Sequence, residues 1–265
     1  MRPTPVFTYP GSKSHLAPWI VSLMPQHATY VEPFAGTLAV LSCKPRSQLE
    51  VINDLDGGLV NFFRVLRDRG DELIAKIELT PYAQEELELA QLHVRLDLTH
   101  DELECAREWW VLHTMTINSK STSFDSRRNQ TQAFRSRLRI MSERLESVVI
   151  RNEDAIHLIE QYDSPDTFLY CDPPYMPTTR TRDIYKCEMI TTDQHKRFAD
   201  ACLSTKSSVL ISGYPSEEYD AWFSGWDRLE RRMISTLDVQ STKGKDVTEC
   251  LWANYPLTKQ LSLMM

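Results

Sequence analysis

A chain of 265 residues, 42% hydrophobic and 25% charged, has the composition of an ordinary globular protein and the length of one large α/β domain or a main domain with an insertion. Its formal charge of −7 argues against a protein that coats nucleic acid indiscriminately, and no apolar run approaches the roughly 20 residues of a membrane span. Six scattered cysteines without a C-x-x-C pair, and histidines without ligand spacing, argue against a disulfide framework and give the expectation of no metal.

The opening "MRPTPVFTYPGSK" has no apolar signal segment, which gives the expectation of a cytoplasmic protein. Within it, "TYPGSKS" (8–14) is a small-residue turn carrying Lys13. "TYVEPF" (29–34) reads as a strand, followed by a short helix near 37–43, and "LEVIND" (49–54) as a second strand closed by Asp54. The next helix gathers Leu59, Phe62, Phe63 and Leu66 on one face, with Gly70 as its expected stop.

From about 73 to 147 the rhythm breaks. "TPYAQEELELAQLH" begins with a Thr-Pro helix entry, and "THDELECAREWWVLHTM" opens with Thr99 and Glu102 at capping-box spacing. A polar, basic stretch follows. Strands then return at "VVIRN" (148–152), "TFLYCD" (167–172) and "SSVLISG" (207–213), separated by the helices "DAIHLIEQY" and "TDQHKRFADACLS". "WDRLERRMI" and "ECLWANYP" suit an antiparallel pair. The alternation implies an α/β fold with a largely parallel sheet covered on both faces, interrupted by a helical insertion.

In such a sheet, ligands bind beyond the carboxyl ends of the strands. Gly36, Asp54, Asp154 and Asp172 stand at four such ends. Gly36 lets a ligand approach the backbone, and Asp54 occupies the place from which an acid accepts ribose hydroxyls. Leu38 stands where a second glycine is needed for a pyrophosphate-gripping loop, so a dinucleotide oxidoreductase is disfavoured. Asp154, taken alone, reads as a helix cap.

The stretch "YCDPPYMP" (170–177) is the richest. Pro173 and Pro174 stiffen the backbone, and proline has no N–H, so the carbonyl of Pro173 has no local donor. Asp172 adds a carboxylate and Tyr175 an aromatic face. Two acceptors beside a stacking surface suit a planar exocyclic amine. Four residues also leave open a rigid turn or a polyproline-type ligand.

"YPGSK", "VEPFAG", Asp54, "NEDA" and "YCDPPY", in that order, resemble the Dam-like, alpha-type group of S-adenosylmethionine-dependent DNA adenine-N6 methyltransferases. The resemblance covers nearly the whole chain, including "TKGKDVTECLWANYP". It implies a Rossmann-like class I methyltransferase sheet with a mainly helical target-recognition insertion. The cofactor-binding half would span 1–72, the insertion 73–147 and the catalytic half 148–265. It also implies that Tyr9 and Lys13 hold the amino-acid end of S-adenosylmethionine. Glu32, Phe34 and Gly36 would shape its pocket, Asp54 would bind the ribose, and Asp154 would meet the adenine ring. Asp172, which also borders the cofactor, and Pro173 would hold the target amine. Pro174 completes the motif and Tyr175 would stack on a base flipped out of double-stranded DNA, in a bacterial or phage-infected cell. The chain departs from the family at "YPGSK", where an aromatic–glycine–glycine–lysine turn is usual, and at Leu38.

Between Lys120 and Arg144, the cations Lys120, Arg127, Arg128, Arg135, Arg137, Arg139 and Arg144 face only Asp125 and Glu143. On an acidic protein this is where phosphates would land, with Lys243 and Lys245 as further contacts. Two alternatives share the same residues: an adenine-N6 methyltransferase of RNA, and a non-catalytic DNA-binding regulator on the same fold.

Overall fold

The computed structural model describes residues 5–7, 11–116, 123–126, 131–176, 189, 191–235 and 245–257. Tyr9, Lys120, Arg127, Arg128 and Lys243 lie outside them. The chain runs α1 (Ala17–Val21), β1 (Thr29–Glu32), α2 (Ala39–Cys43), β2 (Leu49–Asn53), α3 (Gly57–Asp68), α4 (Gly70–Leu79), α5 (Gln84–Leu96), α6 (Glu102–Thr114) and α7 (Thr131–Leu145). It continues through β3 (Val148–Arg151), α8 (Ala155–Gln161), β4 (Thr167–Cys171), α9 (Thr192–Ser204), β5 (Ser208–Gly213), α10 (Glu217–Trp222), β6 (Asp227–Ser235) and β7 (Lys245–Ala253).

The strands form a seven-stranded sheet in the order β3-β2-β1-β4-β5-β7-β6. β1 pairs in parallel with β2 and β4, and β4 with β5. β7 runs antiparallel to both β5 and β6. The five strand segments read from the sequence and the antiparallel C-terminal pair are all present. β4 is buried at every residue, and β1, β2 and β5 at every residue after the first. Strands covered on both faces lose the in–out alternation of an exposed sheet, as "TFLYC" and "VLISG" do.

The chain divides into two compact units. One comprises residues 1–18, 36–45 and 56–152, and the other 19–35, 46–55 and 153–265. The first is held by an aromatic cluster. Phe7 meets Trp109 edge-on at 4.8 Å and Phe62 at 5.7 Å, and Trp109 stacks on His113 at 3.7 Å. Aromatic pairs of this kind contribute about 0.5–1.5 kcal/mol beyond their burial.

Three local expectations are corrected here. Gly70 does not stop α3, which ends at Asp68; it opens α4 instead. A Cβ at Gly70 would lie 2.3 Å from Ser142 Oγ, and Ser142 donates to the carbonyl of Leu66 at 2.8 Å. The glycine is there so that α7 can approach. The cap of α6 is Asp101, whose carboxylate accepts from Glu104 N at 2.7 Å, while the Thr99 hydroxyl lies 3.3 Å from His93 Nδ1. Finally, α5 begins at Gln84, beyond the Thr-Pro pair, because Ala83 is still extended.

Asp56 caps α3 by accepting from Gly58 N at 2.9 Å and Leu59 N at 3.4 Å. At Gly58 a Cβ would stand 2.6 Å from Trp109 Cδ1. Trp109 is wedged among Phe7, Phe62 and His113 and cannot withdraw without disturbing them. Gly58→Ala should therefore lower stability by about 1–3 kcal/mol through overpacking. Urea unfolding checks this, and an unchanged midpoint would mean that the indole yields.

Candidate active site

The second unit carries the parallel core β1, β2, β4 and β5 and the antiparallel β6 and β7. Its register places Glu32 beside Ile52 and Val31 beside Leu169. Phe34, Asp54 and Asp172 therefore all follow the carboxyl ends of neighbouring parallel strands, on one edge of the sheet.

Asn53, the last residue of β2, ties that edge together. Its buried amide donates to the carbonyls of Pro33 at 3.0 Å and Glu153 at 2.9 Å, and its Oδ1 accepts from Glu153 N at 2.9 Å. The ends of β1 and β2 and the entry to α8 are thus held by one side chain. Asp54 follows it, half-buried. Phe34 packs edge-on against Phe198 with ring centroids 5.6 Å apart. Glu32 is buried and accepts from the Tyr30 hydroxyl at 2.8 Å, so it braces the strand from within. Burial first, and the Glu32 carboxylate second, push the Tyr30 phenol well above its ordinary range, so it stays a donor. Asp154 is exposed and caps α8, accepting from Ile156 N at 2.8 Å.

At the end of β4, Asp172 Oδ1 accepts from the Ser212 hydroxyl at 3.0 Å, and Ser212 Oγ lies 2.9 Å from the Tyr170 hydroxyl. Three residues on, the Tyr175 hydroxyl reaches both oxygens of the buried Glu249, at 3.3 and 3.4 Å. The Tyr175 ring lies against that of Tyr214, with centroids 4.1 Å apart. A small cleft opens here, lined by Pro173, Pro174, Tyr175, Met176, Ser212 and Tyr214 among others. Pro173, Pro174 and Tyr175 line this cleft together with Ser212, the residue that donates to Asp172.

The first unit holds other expected residues. Lys13 is buried, with Nζ 3.5 Å from the Gly11 carbonyl. Gly36 has φ 47° and Leu38 φ 56°, so the residues on either side of Thr37 in the turn after β1 are left-handed, and the Leu38 side chain is fully buried. The turn keeps a glycine-like shape at a leucine, at a cost of about 1–2 kcal/mol in local strain.

On α7, Arg135 donates to the carbonyls of Glu78 (3.2 Å) and Thr80 (2.8 Å), and Arg137 to that of Pro5 (3.2 Å). These two guanidiniums serve their own unit. Arg139 is exposed and pairs with the exposed Asp71 at 2.9 Å, a contact of the kind worth about 0–1 kcal/mol. Lys245 opens β7 opposite Ser235.

Sequence reasoning missed Asn53, Ser212, Tyr214 and Glu249. Ser212 carried a faint signal as a polar residue inside the apolar run "VLISG". Its partner was hidden, because the register that sets Cys171 beside Ile211, and hence Asp172 beside Ser212, is a property of pairing.

The residues at this edge are compatible with S-adenosylmethionine: a half-buried carboxylate at Asp54 and an aromatic side chain at Phe34 lie beside the segments tied by Asn53. Among the described residues no group of three or more His, Cys, Asp or Glu is placed to hold a metal ion, and no helix is long and apolar enough to cross a membrane.

The chain is similar to several known proteins. A type II methyltransferase, M1.LlaDCHI of Lactococcus lactis subsp. cremoris, is 25% identical over 95% of each chain. Among solved structures, a proposed RNA methyltransferase of Pyrococcus horikoshii aligns over 93% of this chain and 84% of its own, at 10% identity and a TM-score of 0.41. A SAM-dependent methyltransferase of Agrobacterium tumefaciens aligns over 90% and 59%, at 9% identity and a TM-score of 0.39. Residues 9–237 match the D12 class N6 adenine-specific DNA methyltransferase family. The chain belongs to the D12 class of adenine-specific DNA methyltransferases, which take their methyl group from S-adenosylmethionine.

Proposed function

We propose that Asp172, Pro173 and Tyr175 receive an adenine turned out of double-stranded DNA and hold its N6 amine for methylation. The observation that carries this reading is the clamped Asp172 carboxylate at the end of β4, 3.0 Å from Ser212, beside the braced ring of Tyr175. An adenine amine is a poor nucleophile, because its lone pair is delocalised into the ring. Asp172 accepts one N6 hydrogen and the Pro173 carbonyl the other. Two fixed acceptors favour the pyramidal nitrogen of the transition state, in which the lone pair is free. The bound cofactor supplies a methyl group on a sulfonium sulfur. As the nitrogen becomes cationic, Asp172 is the anion beside it and is placed to take the surplus proton.

Tyr175 offers a face on which the base stacks, worth about 1–3 kcal/mol, which offsets much of the few kcal/mol needed to unstack the base. Glu249 holds the phenol and so sets the ring plane. Asp54 binds the ribose of the cofactor, and Phe34 walls its pocket. Asp154, committed on one side to capping α8, presents its exposed carboxylate to the adenine. In the insertion, Arg139 is the cation of α7 best suited to a phosphate, because its pairing with Asp71 is weak.

Transfer of labelled methyl from S-adenosylmethionine into duplex DNA, compared with structured RNA of similar composition, tests the substrate. Label is expected in duplex DNA, on N6 of adenine; label in RNA alone would favour the rival substrate. Asp54→Ala should weaken cofactor binding by about 2–4 kcal/mol, the loss of two charge-assisted hydrogen bonds. Calorimetry showing an unchanged affinity would remove Asp54 from the site.

A further inference from the structure

We infer that Tyr170 and Ser212 are positioning residues for methyl transfer: they form an ordered hydroxyl relay beneath Asp172 that fixes the rotation of its carboxylate. The inference rests on the reading of Asp172 as the acceptor of the target amine. Its starting point is proton counting. Ser212 has a single hydroxyl proton and lies 3.0 Å from Asp172 Oδ1, a carboxylate oxygen in which it finds an acceptor. Having donated there, Ser212 Oγ can only accept from Tyr170, 2.9 Å away. Both O–H bonds therefore run the same way, from Tyr170 through Ser212 to Asp172.

The strands make this alignment obligatory. Residues two apart on a strand share a face, so Tyr170 and Asp172 lie on the same side of β4 and its continuation. The parallel register sets Cys171 beside Ile211, which brings Ser212 next to Asp172 on that side. Tyr170 and Ser212 are almost fully buried, at 1% and 0% exposure. Water does not compete for the relay.

Rotation of an aspartate carboxylate is soft, with a broad torsional well. The backbone can place Asp172 Cβ but not the plane of its oxygens. A donor held from the neighbouring strand does that. Tyr170 strengthens the donor by polarising the Ser212 hydroxyl.

A purely structural role predicts something different. Buried hydroxyls need partners whether or not catalysis occurs, so removing one of a pair costs stability, and removing both restores much of it. The experiment compares Ser212→Ala, Tyr170→Phe and the double variant, reading single-turnover methylation rate, cofactor affinity and unfolding midpoint. Ser212→Ala should slow methylation by about 10-fold or more, as expected for loss of a group that orients an active-site ligand, with cofactor affinity within about two-fold. Tyr170→Phe should slow it by about 3-fold in the parent but add nothing in the Ser212→Ala background, since the relay is then already cut. The double variant should recover stability relative to Ser212→Ala without recovering rate. Parent-like rates in folded Ser212→Ala, or a Tyr170→Phe effect that multiplies independently in both backgrounds, would overturn the relay. If Ser212→Ala does not fold, the rate of Tyr170→Phe decides alone, and an unchanged rate overturns it. Asp172→Asn measured alongside separates the two readings. Inactive Asp172→Asn with parent-like Ser212→Ala sinks only the relay, whereas active Asp172→Asn sinks the acceptor role beneath it.

Discussion

Asp172→Asn should lower the methylation rate by about 10²-fold or more and leave cofactor affinity nearly unchanged, the scale expected for losing one preorganised electrostatic group. The substitution is nearly isosteric, so a residue that merely shaped the turn before Pro173 would tolerate it. Chemistry separates the cases. The carboxamide keeps one acceptor oxygen, and Ser212, 3.0 Å from Oδ1, would claim it. The amide nitrogen is then turned outward, where it sets a donor against the donor hydrogens of the target amine. Turning the amide over frees its oxygen but points N–H₂ at Ser212, whose proton must then rotate away from it and towards Tyr170. Neither arrangement reproduces the carboxylate, and the charge that favours a developing cation is gone in both. A folded Asp172→Asn protein that methylates at close to the parent rate would falsify the assignment.

Asn53→Ala should cost about 3 kcal/mol of stability or more. The side chain makes three hydrogen bonds to backbone groups of two other segments, and its removal leaves the carbonyls of Pro33 and Glu153 and the N–H of Glu153 to find other partners. Each buried polar group left without one costs about 1–3 kcal/mol, and water entering the gap offsets part of the total. Cofactor affinity should fall as well, because Phe34 and Asp54 both adjoin the released segments. Urea unfolding and calorimetry on the same variant read the two effects. Parent stability would mean that solvent replaces all three bonds; parent affinity would mean that the edge is rigid without its tie.

How far these features were legible in the sequence follows from their range. Strands buried on both faces announce themselves as short apolar runs, so β1, β2, β4 and β5 were readable; the edge strand β3, buried at every other residue, showed as the β-branched run "VVI", and a four-residue motif singled out Asp172 and Tyr175. The braces were not. Asn53 bonds to Glu153 across one hundred positions, and Tyr175 to Glu249 across 74. Nothing local in "LEVIND" distinguishes a tying asparagine from a loop residue. Charge density is silent in a different way: Arg135 and Arg137 read as phosphate contacts, and in the folded unit some of their donors go to the carbonyls of Glu78, Thr80 and Pro5. A cluster of cations in a sequence does not say which of them the fold has already used. The caps failed for want of resolution, since Thr99 and Asp101 are both competent and only packing around His93 chooses between them.

The left-handed turn at Gly36 and Leu38 has a consequence for ordering. A glycine there would reach the same dihedral angles freely and many others besides, so the loop would behave as a hinge. Leucine reaches them under strain and is kept there because its side chain is sunk in the interior at 0% exposure. Substituting glycine would relieve the strain of about 1–2 kcal/mol but forfeit burial of a leucine, worth about 2–5 kcal/mol, and would widen the conformations open to the segment. The anchored form has already surrendered that freedom when the chain folds. Any molecule that later settles against the turn meets a surface with little entropy left to lose.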